Sequence, residues 1–185
     1  MTYCANTLID LTRTGNNSTL AFSALASAHD LELEPFIGRC LVLDLSSSDR
    51  NSIHADELEN AFIGLTPHYE ARLQNLAHSK TLPARLLFKT ARSANSWRYL
   101  NERSLALLFS KGIKLIGTDA PTLADPDQAE SESSFASILL ENGVSYLINL
   151  NLDNLGAIAQ GILMAAPLIA GQSNGKYVRA VLLSQ

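Results

Sequence analysis

Short apolar runs separated by amphipathic stretches dominate the pattern of this sequence. Apolar runs of roughly four to eight residues are typical of strands that are buried in a sheet. Four such runs predict strands: Arg39–Leu45, Arg85–Thr90, Ile113–Gly117 and Val144–Ile148. Amphipathic stretches between them predict four helices: Asp56–Ile63, one that starts at Pro67 with Tyr69, Leu73 and Leu76 on one face, Asn101–Ser110 and Glu132–Glu141. This alternation of strands and helices indicates an α/β domain with a mixed sheet.

The two ends of the chain carry further elements. Leu8–Leu11 predicts a short strand, and the Ala- and Leu-rich stretch Leu20–Ala28 predicts one or two helical turns. Near the C-terminus, Gly161–Ala170 and Lys176–Leu183 are apolar runs on either side of Gly171–Gly175, which contains an Asn-Gly pair. Asn-Gly between two apolar runs is a strong signal for a hairpin. We find no repeat and no linker, so we expect a single domain over residues 1–185.

A loop that leaves a predicted strand is the first candidate for a site. Asp119, Pro121 and Pro126 follow the strand Ile113–Gly117. Each proline fixes φ and lacks an N–H donor, so the chain must leave the sheet here. Ligands of α/β proteins commonly bind beyond the carboxyl ends of strands. Asp119 therefore has two interpretations: it contributes to a site, or it ties down its own turn. We expect Ala91–Leu100, which carries the only tryptophan, to be a loop as well.

Composition excludes several classes of function. The chain has 185 residues, of which 46% are hydrophobic and 17% charged, as expected for a packed domain rather than a disordered one. Its net charge is −4 and it has no cluster of Lys and Arg, so nothing favours nucleic acid or an anionic membrane as a partner. No apolar run reaches the roughly 18 residues of a membrane span. The first residues lack a signal-like pattern, so we expect a cytoplasmic protein.

The segments that follow the predicted strands also resemble a known family. They read GIKLIGTDAPTLADPD over residues 112–127, preceded by LLFKT and Trp97 and followed by LLENGVSYLINLNL over residues 139–152. These landmarks resemble the metal-dependent cyclase family, which includes the bacterial kynurenine formamidases. The resemblance implies a swivelling β/β/α domain with a mixed sheet, and a homo-oligomer that could use the apolar hairpin Gly161–Leu183 as its interface. It also implies that this chain is short at its N-terminus relative to the family.

Members of the resembled family carry the motif His-x-Gly-Thr-His-x-Asp-x-Pro-x-His in their first third. Two of these histidines and the aspartate bind a divalent metal, Zn or Mn, and the last histidine is the acid/base candidate. A divalent ion held in this way acidifies a bound water and polarises a carbonyl. Gly15 and the downstream landmark Phe36–Gly38 set the register of this chain against that motif.

On that register every ligand position has changed. The motif positions that would hold the metal and the acid/base group carry Arg13, Asn17, Thr19 and Ser23. A later histidine position holds Ala136, and a later glutamate position holds Ile148. Arg13 is a permanent cation that would repel a metal. In an alternative register, Leu8–Thr12 matches the opening strand of the family and the motif is deleted. Both registers predict that no metal cofactor is bound.

Two functions follow from this resemblance. The first is a non-catalytic binding or assembly protein on the family scaffold, in which Arg13, with Asn17 and Thr19 nearby, binds a carboxylate or another small anion. The second is a metal-dependent amide or lactone hydrolase like the arylformamidases, whose metal is held by residues outside this register or by a partner chain. Other chemistry has little support, because we expect His54, His68 and His78 to be exposed on surface helices and Cys40 to be a small core residue.

Overall fold

The computed structural model of the chain describes residues 7–13, 19–22, 33–63, 82–93, 96–127, 131–155, 160–167 and 176–184. The described strands are β1 (Leu8–Asp10), β2 (Leu20–Phe22), β3 (Ile37–Asp44), β4 (Ser52–Ile53), β5 (Arg85–Lys89), β6 (Ala91–Ser93), β7 (Ser96–Trp97), β8 (Tyr99–Leu100), β9 (Leu115–Thr118), β10 (Ser145–Ile148), β11 (Gln160–Pro167) and β12 (Lys176–Ser184). The described helices are α1 (residues 55–63), α2 (Glu102–Ser110) and α3 (Ser131–Glu141), with 3-10 turns at Glu34–Phe36 and Asp153–Leu155.

Eight strands form one mixed sheet in the order β1-β12-β11-β3-β5-β9-β10-β2. Strands β3, β5, β9 and β10 are parallel to their neighbours in that series, whereas β11, β12, β1 and β2 pair antiparallel. Strand β2 pairs with β10 on one side and with the start of β12 on the other, so the sheet closes on itself. Strand β1 occupies the other end of the same β12 edge. The two N-terminal strands therefore complete the sheet together.

Two hydrophobic clusters cover the two faces of this sheet. One packs side chains of the parallel strands against the helices and includes Leu58 of α1, Leu108 of α2 and Leu139 of α3. The other is formed by residues of β3, β5, β9, β10, β11 and β12 together with Leu11, and the closed sheet encloses it. Cys40 belongs to this second cluster with an exposed fraction of 1%, as predicted, and burial raises the pKa of its thiol to about 12.

A buried arginine fixes the loops on the helical side of the sheet. Arg98 has an exposed fraction of 0%, and its guanidinium forms a two-pronged ion pair with Glu57, with N–O distances of 2.5 and 2.7 Å. It also donates to the carbonyl oxygens of Leu45, Arg50 and Ser52 at 2.7–3.0 Å. All five N–H donors of the side chain are thereby used. This buried network ties α1 to the segment that links β3 to β4.

The predicted α/β fold with a mixed sheet is confirmed, and so are its main elements. Helix α2 begins after Asn101, whose side chain accepts from the Ser104 N–H, and it ends before Gly112, which has φ of 70°. The C-terminal runs form the predicted antiparallel pair of β11 and β12. None of the described helices has the length and apolar character of a membrane-crossing segment.

Three local predictions were wrong. Leu20–Phe22 was expected to be helical but is a strand, because it pairs with both β10 and β12. The alternating pattern of Leu31–Pro35, which ends at a proline, predicts an extended connector, but Glu34–Phe36 forms a 3-10 turn. The expected loop Ala91–Leu100 contains β6, β7 and β8. Tertiary pairing overrides local propensity in short segments of this kind. Residues 23–28, 64–81 and 171–175 lie outside the described part of the chain.

Candidate functional site

The carboxyl ends of β5, β9 and β10 form the base of the candidate site. Because these strands are parallel and adjacent, their exits lie side by side. The residues at these exits are Thr90, Thr118, Asp119 and Asn149. The hydroxyls of Thr90 and Thr118 are 3.0 Å apart, and both side chains are buried. Hydroxyl, carboxylate and amide side chains therefore occur together at this edge of the sheet.

Asp119 is the charged group at the centre of this edge. Its exposed fraction is 3%, and its Oδ1 accepts from the backbone N–H of Thr90 at 2.8 Å and of Ala91 at 3.0 Å. The Thr90 hydroxyl adds a third bond to the same oxygen at 3.1 Å. The expectation that Asp119 ties down its own turn is therefore wrong. Its carboxylate ties down the exit of the neighbouring strand β5, and the Thr118 hydroxyl, which accepts from the Ala120 N–H, stabilises the turn instead.

The ionisation of Asp119 is under two opposing influences. Burial raises the pKa of the carboxyl group above its ordinary value. The hydrogen bonds from Thr90 and Ala91 and the positive charge of Arg13 lower it, but burial has the larger effect. Arg13 is thus close enough for its charge to act on Asp119, and no ion pair within 4.0 Å joins them among the described contacts.

Hydrogen bonds through Thr19 fix the backbone of Arg13 at this edge. Thr19 has an exposed fraction of 1%, and its hydroxyl accepts from the Arg13 N–H at 2.8 Å and donates to the Asn149 carbonyl at 2.9 Å. The Asn149 N–H in turn donates to the carbonyl of Ala120, the residue after Asp119. Asn149 has φ of 57°, a left-handed conformation that asparagine tolerates better than most residues. This chain of hydrogen bonds brings Arg13 and Asp119 to one place.

The structure thus brings together some of the residues that the resemblance selected. Arg13 is half-buried and Thr19 fully buried, whereas Asn17 and Ser23 lie outside the described residues. Ile148 pairs with Leu20 across β10 and β2, and its side chain belongs to the hydrophobic cluster beneath α3. Ala136 lies half-buried on α3. The sequence identified Asp119 but missed its partner Thr90, and the only available signal was that both follow apolar runs.

The described residues at these positions do not fit a divalent metal. Zinc and manganese need imidazole nitrogen, thiolate or carboxylate oxygen as ligands. Arg13 is a cation, Ile148 and Ala136 carry no donor atom, and the single hydroxyl of Thr19 is already engaged by two backbone groups. Within the described part of the chain, no group of three or more His, Cys, Asp or Glu side chains could hold a metal ion.

A second polar group, around His54, lies away from this edge. His54 was expected to be exposed but is half-buried, with Nε2 2.9 Å from the Ser52 hydroxyl. The Asn101 Oδ1 accepts from the N–H and hydroxyl of Ser104, so its amide nitrogen faces His54 Nδ1 at 3.5 Å. Nδ1 is then the acceptor, and Nε2 carries the proton that it donates to Ser52. In this tautomer His54 cannot act as the base for a Ser52 nucleophile. His68 and His78 lie outside the described residues.

Comparisons with known proteins agree with the landmarks of the sequence. No family model matches the chain. The chain is similar to a kynurenine formamidase of Polaromonas naphthalenivorans (strain CJ2), with 31% identity over 166 residues that cover 86% of this chain and 64% of the relative. A kynurenine formamidase of Bacillus mycoides (strain KBAB4) is 30% identical over 159 residues, covering 83% of this chain and 66% of the relative. The chain therefore spans slightly less than two thirds of the length of these curated relatives.

Solved structures share the fold at lower identity. A potential metal-dependent hydrolase with cyclase activity has a TM-score of 0.70 and 18% identity, and the match covers 98% of this chain and 99% of that one. Isatin hydrolase A from Labrenzia aggregata, bound to benzyl benzoate, has a TM-score of 0.72 and 15% identity, with 97% and 94% covered. At these identities the structural matches show the fold alone. Together with the sequence relatives, they place the chain in the cyclase and kynurenine formamidase-like family.

Proposed function

We propose that this chain is a non-catalytic member of the family, and that it binds a small carboxylate-bearing molecule at Arg13. One observation carries the proposal. The described positions that correspond to metal ligands hold a cation, an engaged hydroxyl and two hydrocarbon side chains. A metal-activated water needs several ligands at once, so replacing one of these residues would not restore the chemistry.

The geometry around Arg13 supports a binding role. Arg13 is half-buried, its backbone is held by Thr19, and no described residue accepts a hydrogen bond from its guanidinium. A guanidinium presents five N–H donors in a planar fork that matches a carboxylate. Partial burial strengthens such a contact, because less water competes for the donors. The side chain thus has unused binding capacity at an edge of the sheet where ligands of α/β proteins commonly bind.

Ligand binding tests this proposal directly. We expect at least one of anthranilate, kynurenine and succinate to raise the melting temperature of the purified chain, and Arg13→Ala to abolish that rise. Arg103→Ala is the matched control, since Arg103 is an exposed arginine on α2. No rise with any of the three, or an equal rise with Arg13→Ala, would remove the binding role.

A metal-dependent amide or lactone hydrolase is the alternative, because the curated relatives at 30–31% identity are named kynurenine formamidases. Metal analysis of the purified chain separates the two functions. Our proposal predicts no stoichiometric Zn or Mn and no hydrolysis of N-formylkynurenine above the uncatalysed rate. Stoichiometric metal, with hydrolysis that a chelator abolishes, would establish the alternative. The expected homo-oligomer stays a prediction that light scattering would test.

A further inference from the structure

The candidate site contains a carboxylate as well as a cation, and this limits what can bind there. Oδ1 of Asp119 accepts four hydrogen bonds, the longest from the Thr118 hydroxyl at 3.5 Å, whereas no described residue donates to Oδ2. Among the described residues, the one buried side-chain N or O atom without a partner is Trp97 Nε1. Oδ2 is therefore not sealed in the core, and it remains available as an acceptor at the same edge as Arg13.

Arg13 and ionised Asp119 carry opposite charges. Arg13 and Asp119 lie at the same edge of the sheet, because Thr19 and Asn149 link the Arg13 N–H to the carbonyl of Ala120, but the two do not form a described ion pair. A ligand with only a carboxylate would gain from Arg13 and be repelled by ionised Asp119. A like charge at short range in a partly buried site costs about as much as an unlike charge contributes. A simple anion is thus a poor match for the site.

A ligand that carries both charges removes this conflict. We propose that the site recognises an amino carboxylate, with its carboxylate on the Arg13 guanidinium and its ammonium group on Asp119 Oδ2. This inference rests on the proposed binding function and specifies the chemical class of the ligand. Each charge of the ligand then meets the opposite charge of the protein, and Oδ2 gains the hydrogen bonds that no described residue provides. The Asp119 Oδ1 bonds to Thr90 and Ala91 remain in place, so the acceptor is already positioned.

Backbone contacts fix the points of the fold from which the Arg13 side chain and Asp119 extend. Thr19 and Asn149 connect the Arg13 N–H to the Ala120 carbonyl through hydrogen bonds of 2.8, 2.9 and 3.0 Å. Because these points are fixed, the guanidinium can reach only a limited range of distances from Asp119 Oδ2, which selects ligands by the separation of their charged ends. Affinity should therefore peak at one length in a series of amino acids that differ only in chain length.

The test uses glycine, β-alanine, 4-aminobutyrate and 5-aminopentanoate, each compared with the monocarboxylate of the same chain length. Calorimetry or ligand-detected NMR on the full chain measures the dissociation constants. We expect one amino carboxylate to bind at least tenfold more tightly than its monocarboxylate. Asp119→Asn should reduce this ratio to about twofold, since asparagine keeps the Oδ1 acceptor and loses the charge, and Arg13→Ala should abolish binding of both compounds.

The outcomes separate this inference from the function on which it rests. Monocarboxylates that bind as tightly as amino carboxylates, with both depending on Arg13, would overturn the inference and leave the binding function intact. No Arg13-dependent binding of any compound would overturn both. A tenfold ratio that Asp119→Asn leaves unchanged, in a variant whose circular dichroism matches wild type, would assign the ammonium group to another partner and also overturn the inference. The ratio of the two dissociation constants is measured on the wild-type chain. A folding defect in a variant therefore cannot affect it.

Discussion

The arginine–acid pair Arg98–Glu57 and the neighbouring but unpaired Arg13 and Asp119 differ in how fully their polar groups are used. Arg98 is fully buried, and its five N–H donors are taken by Glu57 and three carbonyl oxygens. Arg13 is half-buried near Asp119, and no described residue accepts from its guanidinium. The first pair is complete within the fold, whereas among the described residues the second group has donors and an acceptor without partners. The two thus differ both in burial and in how fully their hydrogen-bonding groups are used, and only the second has capacity left for the binding that we propose.

The largest effect that this comparison predicts is on the structural pair. Arg98→Met would leave the Glu57 carboxylate and three carbonyl oxygens without their donor. We expect a loss of about 3–5 kcal/mol in the free energy of unfolding, the usual cost of breaking a buried ion pair from one side. Urea denaturation measures it. Arg179→Met is the control, because Arg179 forms an exposed ion pair with Asp10 and should cost at most about 1 kcal/mol. Equal losses in the two variants would show that saturation of Arg98 has no structural value.

The link that holds Arg13 in place should have a smaller effect. Thr19→Val keeps the shape of the side chain and removes the hydroxyl that bonds to Arg13 and Asn149. We expect a loss of about 1–3 kcal/mol, because two partly buried backbone groups lose a hydrogen bond. The same variant should weaken any ligand that depends on Arg13. Thr19→Ser keeps the hydroxyl, so urea denaturation should find it closer to wild type. If Thr19→Val is as stable as Thr19→Ser, the Thr19 hydroxyl does not stabilise the segment that carries Arg13.

The pH dependence of stability gives the smallest effect and concerns Asp119 alone. Burial raises the pKa of Asp119 in the folded chain, so the folded state holds its proton to higher pH than the unfolded state does. The corresponding stability is fully present below the unfolded pKa and is lost as pH rises through the folded pKa. The asparagine of Asp119→Asn does not titrate, so this variant lacks that dependence on pH. The stability of this variant relative to wild type should therefore increase over a pH range that starts at about 4, the ordinary pKa of an aspartate.

Urea denaturation of both proteins across that range measures the difference. Because Asn also changes the hydrogen bonds to Thr90 and Ala91, a constant offset between the two proteins is expected and carries no information. Only the trend with pH matters. A difference that stays flat, or that falls as pH rises, would mean that Arg13 and the hydrogen bonds outweigh burial.

Much of the fold could be predicted from apolar runs, and much of the site could not. The strand at Arg85–Lys89 is visible because three consecutive buried residues stand between polar ends. Strand Leu20–Phe22 could not be predicted from the sequence, since its pairing with β10 and β12 depends on residues more than 120 positions away. Asp119 stands out after its strand, but its bond to Thr90, 29 residues earlier, arises only because the two strands lie side by side. The Arg98–Glu57 pair spans 41 residues and has no local signal.

Strand β12 has a consequence for when the segment that carries Arg13 becomes ordered. Leu11 donates to the Ala180 carbonyl, the Thr12 hydroxyl contacts both backbone groups of Ala180, and the Val178 N–H donates to Thr19. The segment that carries Arg13 is thus anchored by residues made about 160–170 positions later. During synthesis, Arg13 is therefore made well before the strand that anchors it. Contacts of such long range form late and slowly, so the segment that carries Arg13 should become ordered late in folding, and any binding that depends on Arg13 should appear only once β12 has docked.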